Sequence, residues 1–365
     1  MIPRLFVGCL SVLVCLLLIE AAFRSGPWFL PSGAYGAGER HGELGMNTHG
    51  RTMIYNKVRY VVRNPNAEGF LDATHERRKP DGVRRVGFFG DSYVESAQVE
   101  ESDVFYRVLG AQLAPDVETL GFGMSGWGTF QALRAFRVLA PAYDLDGAVY
   151  VFVENDLGDQ LYELARHRGA GSAYPFAELT DDVPDGFRER WVVEPGPEPL
   201  FQGFAKLLQR HSLLAHVVQQ RLFLLRDQGL RVRADPTARE MGRAAEGAPD
   251  SNDLASTWPQ EWADPARELG ERVLRAWARE AEQRGVALTV LYVPRGEDQL
   301  RGKIASEDTW KPWLEQTCAR LGIRLIDPTS ALASELRAGQ SVYDDHWTPA
   351  GHRVIARVLA EHELL

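Results

Sequence analysis

The stretch Val86-Gly87-Phe88-Phe89-Gly90-Asp91-Ser92-Tyr93 reads as a buried strand running into a sharp turn. Val86 and Phe88 fall on one face and Gly87 and Phe89 on the other, as suits a parallel strand covered on both sides. Gly90 lets the backbone bend into a following helix, and Ser92 stands at the bend. That is the carboxyl end of a parallel strand, where open α/β sheets bind ligands. A serine there is displayed with its own backbone N–H facing the same crevice. Gly-Asp-Ser is nevertheless a short motif, and it needs partners elsewhere in the chain before it carries chemistry.

Outward from this stretch the pattern alternates. Helical spacing at Phe105, Val108, Leu109, Ala111 and Leu113 leads to an apolar run at 117–120 and a loop holding Gly121, Gly123, Gly126 and Gly128. Residues 130–139 are helical again, and 147–153 form another buried strand ending at Glu154-Asn155-Asp156. A strand-like run also stands at 58–62, before the central stretch. The regularity lapses from about 165 to 262, where Pro and Gly are frequent, one amphipathic helical section covers 204–225, and 231–257 is polar. This segment reads as an insertion. Asp264 and Pro265 look like an N-cap and first helical position, followed by Leu269, Val273, Ala276, Trp277 and Ala281 on one helical face. Strand 286–293, helix 310–321, strand 324–327 and a final helix capped by Thr348-Pro349 complete the chain. About five parallel strands with intervening helices predict an open α/β sheet with right-handed crossovers. No Walker lysine is present, and the glycines at 121–128 lack the downstream acidic strand end of a dinucleotide loop.

With 365 residues, 45% of them hydrophobic, the chain can bury a large core. A net charge of −9 without any Lys/Arg-rich block argues against nucleic-acid binding. Of three cysteines, Cys9 and Cys15 lie in an apolar amino-terminal run and Cys318 stands alone, so neither a disulfide framework nor a cysteine metal site is expected. Residues 5–19 are uncharged and apolar between Arg4 and Glu20. The flanks lack a small-x-small cleavage site, which favours an uncleaved membrane anchor over a cleaved signal peptide. Either way the bulk of the chain is expected outside the cytoplasm. The expected division is an anchor or signal at 1–25, a strap at 26–80, and a catalytic-type domain at 81–365 carrying the insertion.

Three loops, at 90–92, 125–128 and 154–156, follow three strands and should open on one edge of the sheet, and a fourth element, Tyr343-Asp344-Asp345-His346-Trp347-Thr348-Pro349, precedes the last helix. The order Gly90-Asp91-Ser92, Gly126, Asn155-Asp156, Asp344-x-His346-Trp347 resembles the SGNH/GDSL hydrolase family, most nearly its membrane-anchored bacterial members, over roughly residues 60–360. The resemblance implies a flavodoxin-like three-layer α/β/α sandwich and ester hydrolysis or acyl transfer. Two departures stand out: Tyr343 occupies the position three before the histidine where many members have aspartate, and Glu154 replaces a common glycine.

The chemistry needs a base for the weak alcohol nucleophile, and His346 is the histidine set beside a carboxylate in a strand-to-helix loop. The expected catalytic residues are therefore Ser92, His346 and Asp344, with Asp345 as the rival partner, set aside because an adjacent side chain in extended chain points away. Ser92 N–H, Gly126 N–H and the Asn155 amide are the expected oxyanion donors. Each also has a plainer reading: Asp91 and Asp156 as helix caps, Gly126 and Asn155 as turn residues, His352 as a structural histidine, and Trp127 and Trp347 as packing residues. The expected function is a cell-envelope serine esterase removing small O-acyl groups, O-acetyl foremost, from a carbohydrate through an acyl-enzyme, with no cofactor or metal. The expected location is the bacterial inner membrane, single-pass, with the domain on the periplasmic side. An O-acyltransferase on an envelope polysaccharide and a non-catalytic carbohydrate-binding scaffold are the alternatives.

Overall fold

The computed structural model describes residues 2–25, short strands at 33–34, 39–41, 46–48 and 52–55, then 60–167, 174–192, positions 212, 214, 215 and 218, and 248–250, 252–362 and 364. Five strands form its central sheet: β1 (Arg84–Gly90), β2 (Val117–Gly123), β3 (Gly147–Phe152), β4 (Ala287–Tyr292) and β5 (Arg324–Ile326). They pair in parallel in the order β5-β4-β3-β1-β2, each where the apolar runs placed it. This is the flavodoxin-like order, in which the chain leaves β1 for one edge and returns to its other side. The crevice so opened lies at the carboxyl ends of β1 and β3, and the loops carrying Ser92 and Asn155 emerge there.

The helices are α1 (Ile2–Ser25), α2 (Ser92–Glu95), α3 (Phe105–Leu113), α4 (Thr129–Tyr143), α5 (Asp156–Asp159), α6 (Tyr162–His167), α7 (Gln260–Arg284), α8 (Gly296–Leu300), α9 (Lys311–Leu321), α10 (Thr329–Arg337) and α11 (Pro349–Ala360). Helices α4, α7 and α9 cover one face of the sheet and α3, α10 and α11 the other, and alternate residues of β1 supply the two cores. Phe89 joins Phe136, Tyr150 and Trp277 beneath α4, α7 and α9, with Trp277 5.9 Å from Phe89 and 5.1 Å from Tyr150 between ring centroids. Val86 and Phe88 join Phe105, Trp347 and Ile355 beneath α3, α10 and α11, with Phe88 set edge-on to Phe105 at 5.3 Å. Each such aromatic or aliphatic side chain contributes about 1.5–3 kcal/mol by leaving water.

Helix α7 begins earlier than the Asp264-Pro265 pair suggested. Its first turn starts after Pro259, whose carbonyl accepts from Trp262 N at 3.0 Å and Ala263 N at 2.9 Å. Pro265 therefore sits inside the helix. Burial of Ala263 and Ala266 against the core holds that turn despite the missing N–H. Helix α11 starts as expected, with Thr348 Oγ1 accepting from Gly351 N at 3.2 Å and Pro349 in the first turn.

Residues 60–80, expected as a strap outside the domain, are built into it. Phe70 is packed edge-on to Phe122 and Trp127, and Arg63 donates to the carbonyls of Ser96 at 3.3 Å and Val99 at 3.1 Å and to that of Leu71. The expected insertion also enters the core in part: a hairpin of 176–179 and 187–190 sets Phe187 against Phe130, and Ala177 N donates to Gln160 O at 2.8 Å. The helical section expected at 204–225 lies, but for four positions, outside the described residues; of these, Ser212 Oγ and Leu214 N each donate to the Glu20 carboxylate at 2.9 Å. Among the described residues no helix is long and apolar enough to cross a membrane, the described side chains of α1 running from Val7 to Ala22.

Candidate active site

Ser92 opens α2 directly after β1. A Cβ at Gly90 would lie 2.9 Å from Val151 O and 3.0 Å from Val94 Cγ2, so the strand can run into this turn only with glycine there. Asp91 caps α2, its carboxyl accepting from Tyr93 N at 2.9 Å. Burial pushes that carboxyl up to about 7, opposed by the hydrogen bonds from Tyr93 N–H and Asn155 and reinforced by the nearby Asp159.

The fourth element is a minimal hairpin. Tyr343 lies opposite Trp347 and Asp344 opposite His346, leaving Asp345 alone at the turn with φ +65°. This brings His346 Nε2 to 2.8 Å from Ser92 Oγ, across 254 positions of sequence. Ser92 Oγ also lies 3.3 Å from Asp91 Oδ2, the longer of its two contacts. On the other side of the ring, Nδ1 is 3.3 Å from Asp345 Oδ2. A proton on Nδ1 facing that carboxylate leaves Nε2 free to accept from the Ser92 hydroxyl. Burial lowers the imidazole below the ordinary histidine range, while the charges of Asp345 and Glu95 pull it back up.

The carboxylate paired with Nδ1 is thus that of Asp345, where the sequence pointed to Asp344. The expectation assumed extended chain through 344–346. The left-handed residue at 345 instead folds the chain back, and the turn side chain comes round to the ring while Asp344 faces solvent. Tyr93 supports the same ring from below, with centroids 4.7 Å apart, and itself packs edge-on to Trp347.

Gly126 and Asn155 line the same cavity as Ser92 and His346, a cleft of about 870 Å³ at the sheet's carboxyl edge. Gly126 has φ +81°, a conformation that favours glycine. Asn155 Nδ2 donates to Asp159 Oδ2 at 2.8 Å and makes a longer contact of 3.5 Å with Asp91 Oδ2. Asp156 is a buried tie between strand and loop, accepting from Tyr150 OH at 2.5 Å and Val153 N at 3.0 Å, and desolvation holds its carboxyl well above the usual range. Glu154, in place of a glycine, accepts from Trp310 N and Tyr292 OH at 3.1 Å each and faces Arg295 at 3.3 Å, which pins this loop to α9 and to the loop after β4. His352, Trp127 and Trp347 are buried in the core, as their plainer reading had it.

Sequence reasoning missed several residues that hold the site together. Tyr93 OH lies 2.5 Å from Tyr343 OH, which donates to Pro294 O at 2.8 Å, so Tyr343 links the helix that begins with Ser92 to the hairpin that carries His346. Glu95 and Tyr174 contact the Ser125-Gly126 loop. The signal for Glu95 was its place one helical turn after Ser92; nothing in the sequence signalled Tyr174. Among the described residues no cluster of three His, Cys, Asp or Glu side chains is arranged to hold a metal ion.

The sequence matches no protein-family model and no curated protein. Similar solved structures include the acetyl xylan esterase AlAXEase, at 9% identity and TM-score 0.41, covering 76% of this chain and 98% of that one. The lipase/acylhydrolase from Enterococcus faecalis aligns at 11% identity and TM-score 0.39, covering 76% of this chain and 94% of that one. The psychrotrophic esterase EstA from Pseudoalteromonas sp. aligns at 9% identity and TM-score 0.39, covering 76% and 95%. The fold assignment itself rests on the order and direction of the five strands.

Proposed function

We propose that this chain is a serine ester hydrolase acting through an acyl-enzyme. The observation that carries the reading is the 2.8 Å contact between Ser92 Oγ and His346 Nε2 in an open cleft. Ser92 Oγ attacks the ester carbonyl as its proton passes to Nε2. The carbon–oxygen bond to the alcohol then breaks, and Nε2 returns the proton to the departing oxygen. Water repeats the sequence in reverse, losing a proton to Nε2 and releasing the acid. The N–H groups of Ser92 and Gly126 and the less engaged Nδ2 hydrogen of Asn155 are the donors suited to the oxyanion. Asp345 orients the imidazole and faces the charge it gains.

The substrate we propose is a small O-acyl group, O-acetyl foremost, on a carbohydrate. Asn155, Asn252, Arg295 and Glu297 in the cleft wall support a polyhydroxylated alcohol over a long acyl chain. We also propose that α1 anchors the domain on the outer side of a membrane. Leu10, Val12, Leu13, Val14, Leu16, Leu17 and Leu18 are all exposed. These side chains belong to the uncharged run 5–19 between Arg4 and Glu20, an apolar surface that the other described residues leave uncovered.

The test is labelling by a fluorophosphonate and hydrolysis of p-nitrophenyl acetate by the wild-type chain and Ser92→Ala. The expected outcome is labelling and turnover in the wild type and neither in the variant. A wild type that is neither labelled nor active sinks the hydrolase in favour of a binding scaffold. Acyl transfer to added sugar in preference to water identifies a transferase working through the same acyl-enzyme.

A further inference from the structure

We infer that Glu95 and Tyr174 are positioning residues that clamp the oxyanion loop from its two sides, and that part of the insertion therefore belongs to the catalytic apparatus. The inference rests on the hydrolase reading above. Glu95 is the last residue of α2, the single turn that begins with Ser92, and it is only 4% exposed. Its Oε2 accepts from Ser125 N at 3.1 Å and also from Ser125 Oγ. One carboxylate thus takes two hydrogen bonds from the residue immediately before Gly126. A buried charged acceptor makes stronger bonds than a neutral one, and leaving such a group without them is costly.

On the far side, Tyr174 OH donates to Gly126 O at 2.6 Å. Tyr174 precedes the hairpin of 176–179 and 187–190 and packs against Phe176, at 5.6 Å between ring centroids. The loop is also tied at its entry, where Met124 N donates to Gly90 O at 3.1 Å, and at its exit, where Trp127 N donates to Met124 O at 3.1 Å. Glu95 holds Ser125, the residue before the glycine, and Tyr174 holds the glycine's own carbonyl, so the peptide that carries the Gly126 N–H lies between two fixed groups. Glycine at φ +81° is the most conformationally free residue in the loop, so the donor aimed at the oxyanion is the one that most needs outside restraint. Because Ser92 and Glu95 share one helical turn, the distance between nucleophile and oxyanion loop is set within a single rigid piece.

The experiment compares Tyr174→Phe, Ser125→Ala, Glu95→Ala and Glu95→Gln with the wild type in the full chain. It measures kcat and KM on p-nitrophenyl acetate, the rate and final extent of fluorophosphonate labelling, and thermal melting. Tyr174→Phe and Glu95→Ala are expected to lower kcat and the labelling rate by about ten- to a hundredfold, as a displacement approaching 1 Å does, with KM and the final extent of labelling unchanged. Glu95→Gln, whose amide oxygen still accepts both bonds, should recover most of that loss. If Glu95→Ala does not fold, Tyr174→Phe carries the decision, with Ser125→Ala expected to show a smaller loss of kcat because Ser125 N still donates to Glu95. A wild type that is labelled at Ser92 while these variants keep wild-type kcat overturns the clamp and leaves the hydrolase standing. A wild type that shows no Ser92-dependent labelling overturns the hydrolase reading, and the clamp falls with it.

Discussion

Burial and a solvent-facing carboxylate pull the imidazole of His346 in opposite directions. Desolvation lowers its affinity for a proton, the charges of Asp345 and Glu95 raise it, and the balance falls below the ordinary 6.5. The ring is consequently neutral near pH 7, the state a general base requires. The acid limb of kcat/KM should therefore lie below 6.5, and Asp345→Asn should move it lower still by removing a group that stabilises the imidazolium. The size of the effect on kcat follows from exposure. A buried carboxylate behind a catalytic histidine is worth about ten-thousandfold in kcat. The Asp345 side chain is 90% exposed, and exposed pairs are worth about 0.2–1 kcal/mol, so Asp345→Asn should cost only a fewfold. Asp344→Asn should move the limb and kcat less than Asp345→Asn does, because the contact to Nδ1 comes from Asp345. A pH–rate profile of the two variants checks this; a larger loss in Asp344→Asn would restore the residue that the sequence favoured.

At the scale of elements, α2 is wedged between β1 and the end of β2. An alanine Cβ at Gly123 would come within 2.4 Å of Val94 Cβ and 2.5 Å of Glu95 N, and backbone cannot give way as a flexible side chain does. Gly123→Ala should therefore destabilise the chain by about 1–3 kcal/mol and displace the turn carrying Ser92. Activity on p-nitrophenyl acetate, measured well below the melting temperature, should fall further than the folded fraction does. Equal falls would mean that the turn tolerates the shift. Strands β1, β3 and β4 were legible because their centres are buried on both faces and read as near-continuous apolar runs, whereas the edge strands β2 and β5 showed as shorter runs. Ser92 and Asn155 were legible because they stand where such runs stop, and His346 because a carboxylate adjoins it before the last helix. What escaped the sequence depends on contacts between distant segments. Asp345 reaches the ring through one left-handed residue in a hairpin of two-residue strands, a turn that alternation rules cannot foresee. Glu95 looks like a surface acid until Ser125 is brought against it, and Pro265 looks like a helix start until the buried Ala263 shows that the turn before it is already packed.

For the molecule as a whole, the buried titratable groups give pH-dependent stability of opposite signs, and single substitutions separate them. His352 is wholly buried, accepts from Phe105 N at 3.2 Å, and burial lowers its pKa from 6.5 to about 3. Between those values the unfolded chain binds a proton that the folded chain refuses, so this group makes stability rise with pH, by about 1.4 kcal/mol per unit. Asp91 does the reverse. Its carboxyl moves from 3.8 to about 7, so over that interval the folded chain holds a proton the unfolded chain has released, and stability falls as pH rises. Asp156, raised by desolvation and by Asp91, acts in the same sense as Asp91. His75 extends the decline upward: burial lowers it, but Asp72 at 3.0 Å and Glu118 at 2.7 Å outweigh burial and raise it above 6.5. The stabilisation from His75 is complete below 6.5 and is lost as pH climbs through the raised value. That loss loosens the grip of residues 60–80 on the edge strand β2, where Asp72 also accepts from Gly121 N at 2.8 Å. The parent curve sums these contributions, so the measurement is the difference between variant and parent in urea unfolding from pH 4 to 8. The His352→Gln curve should flatten the rise on the acid side, Asp91→Asn should remove a fall over the same range, and His75→Gln should differ from the parent chiefly below pH 6.5. Difference curves for His352→Gln and Asp91→Asn that slope the same way would refute the opposed-sign account.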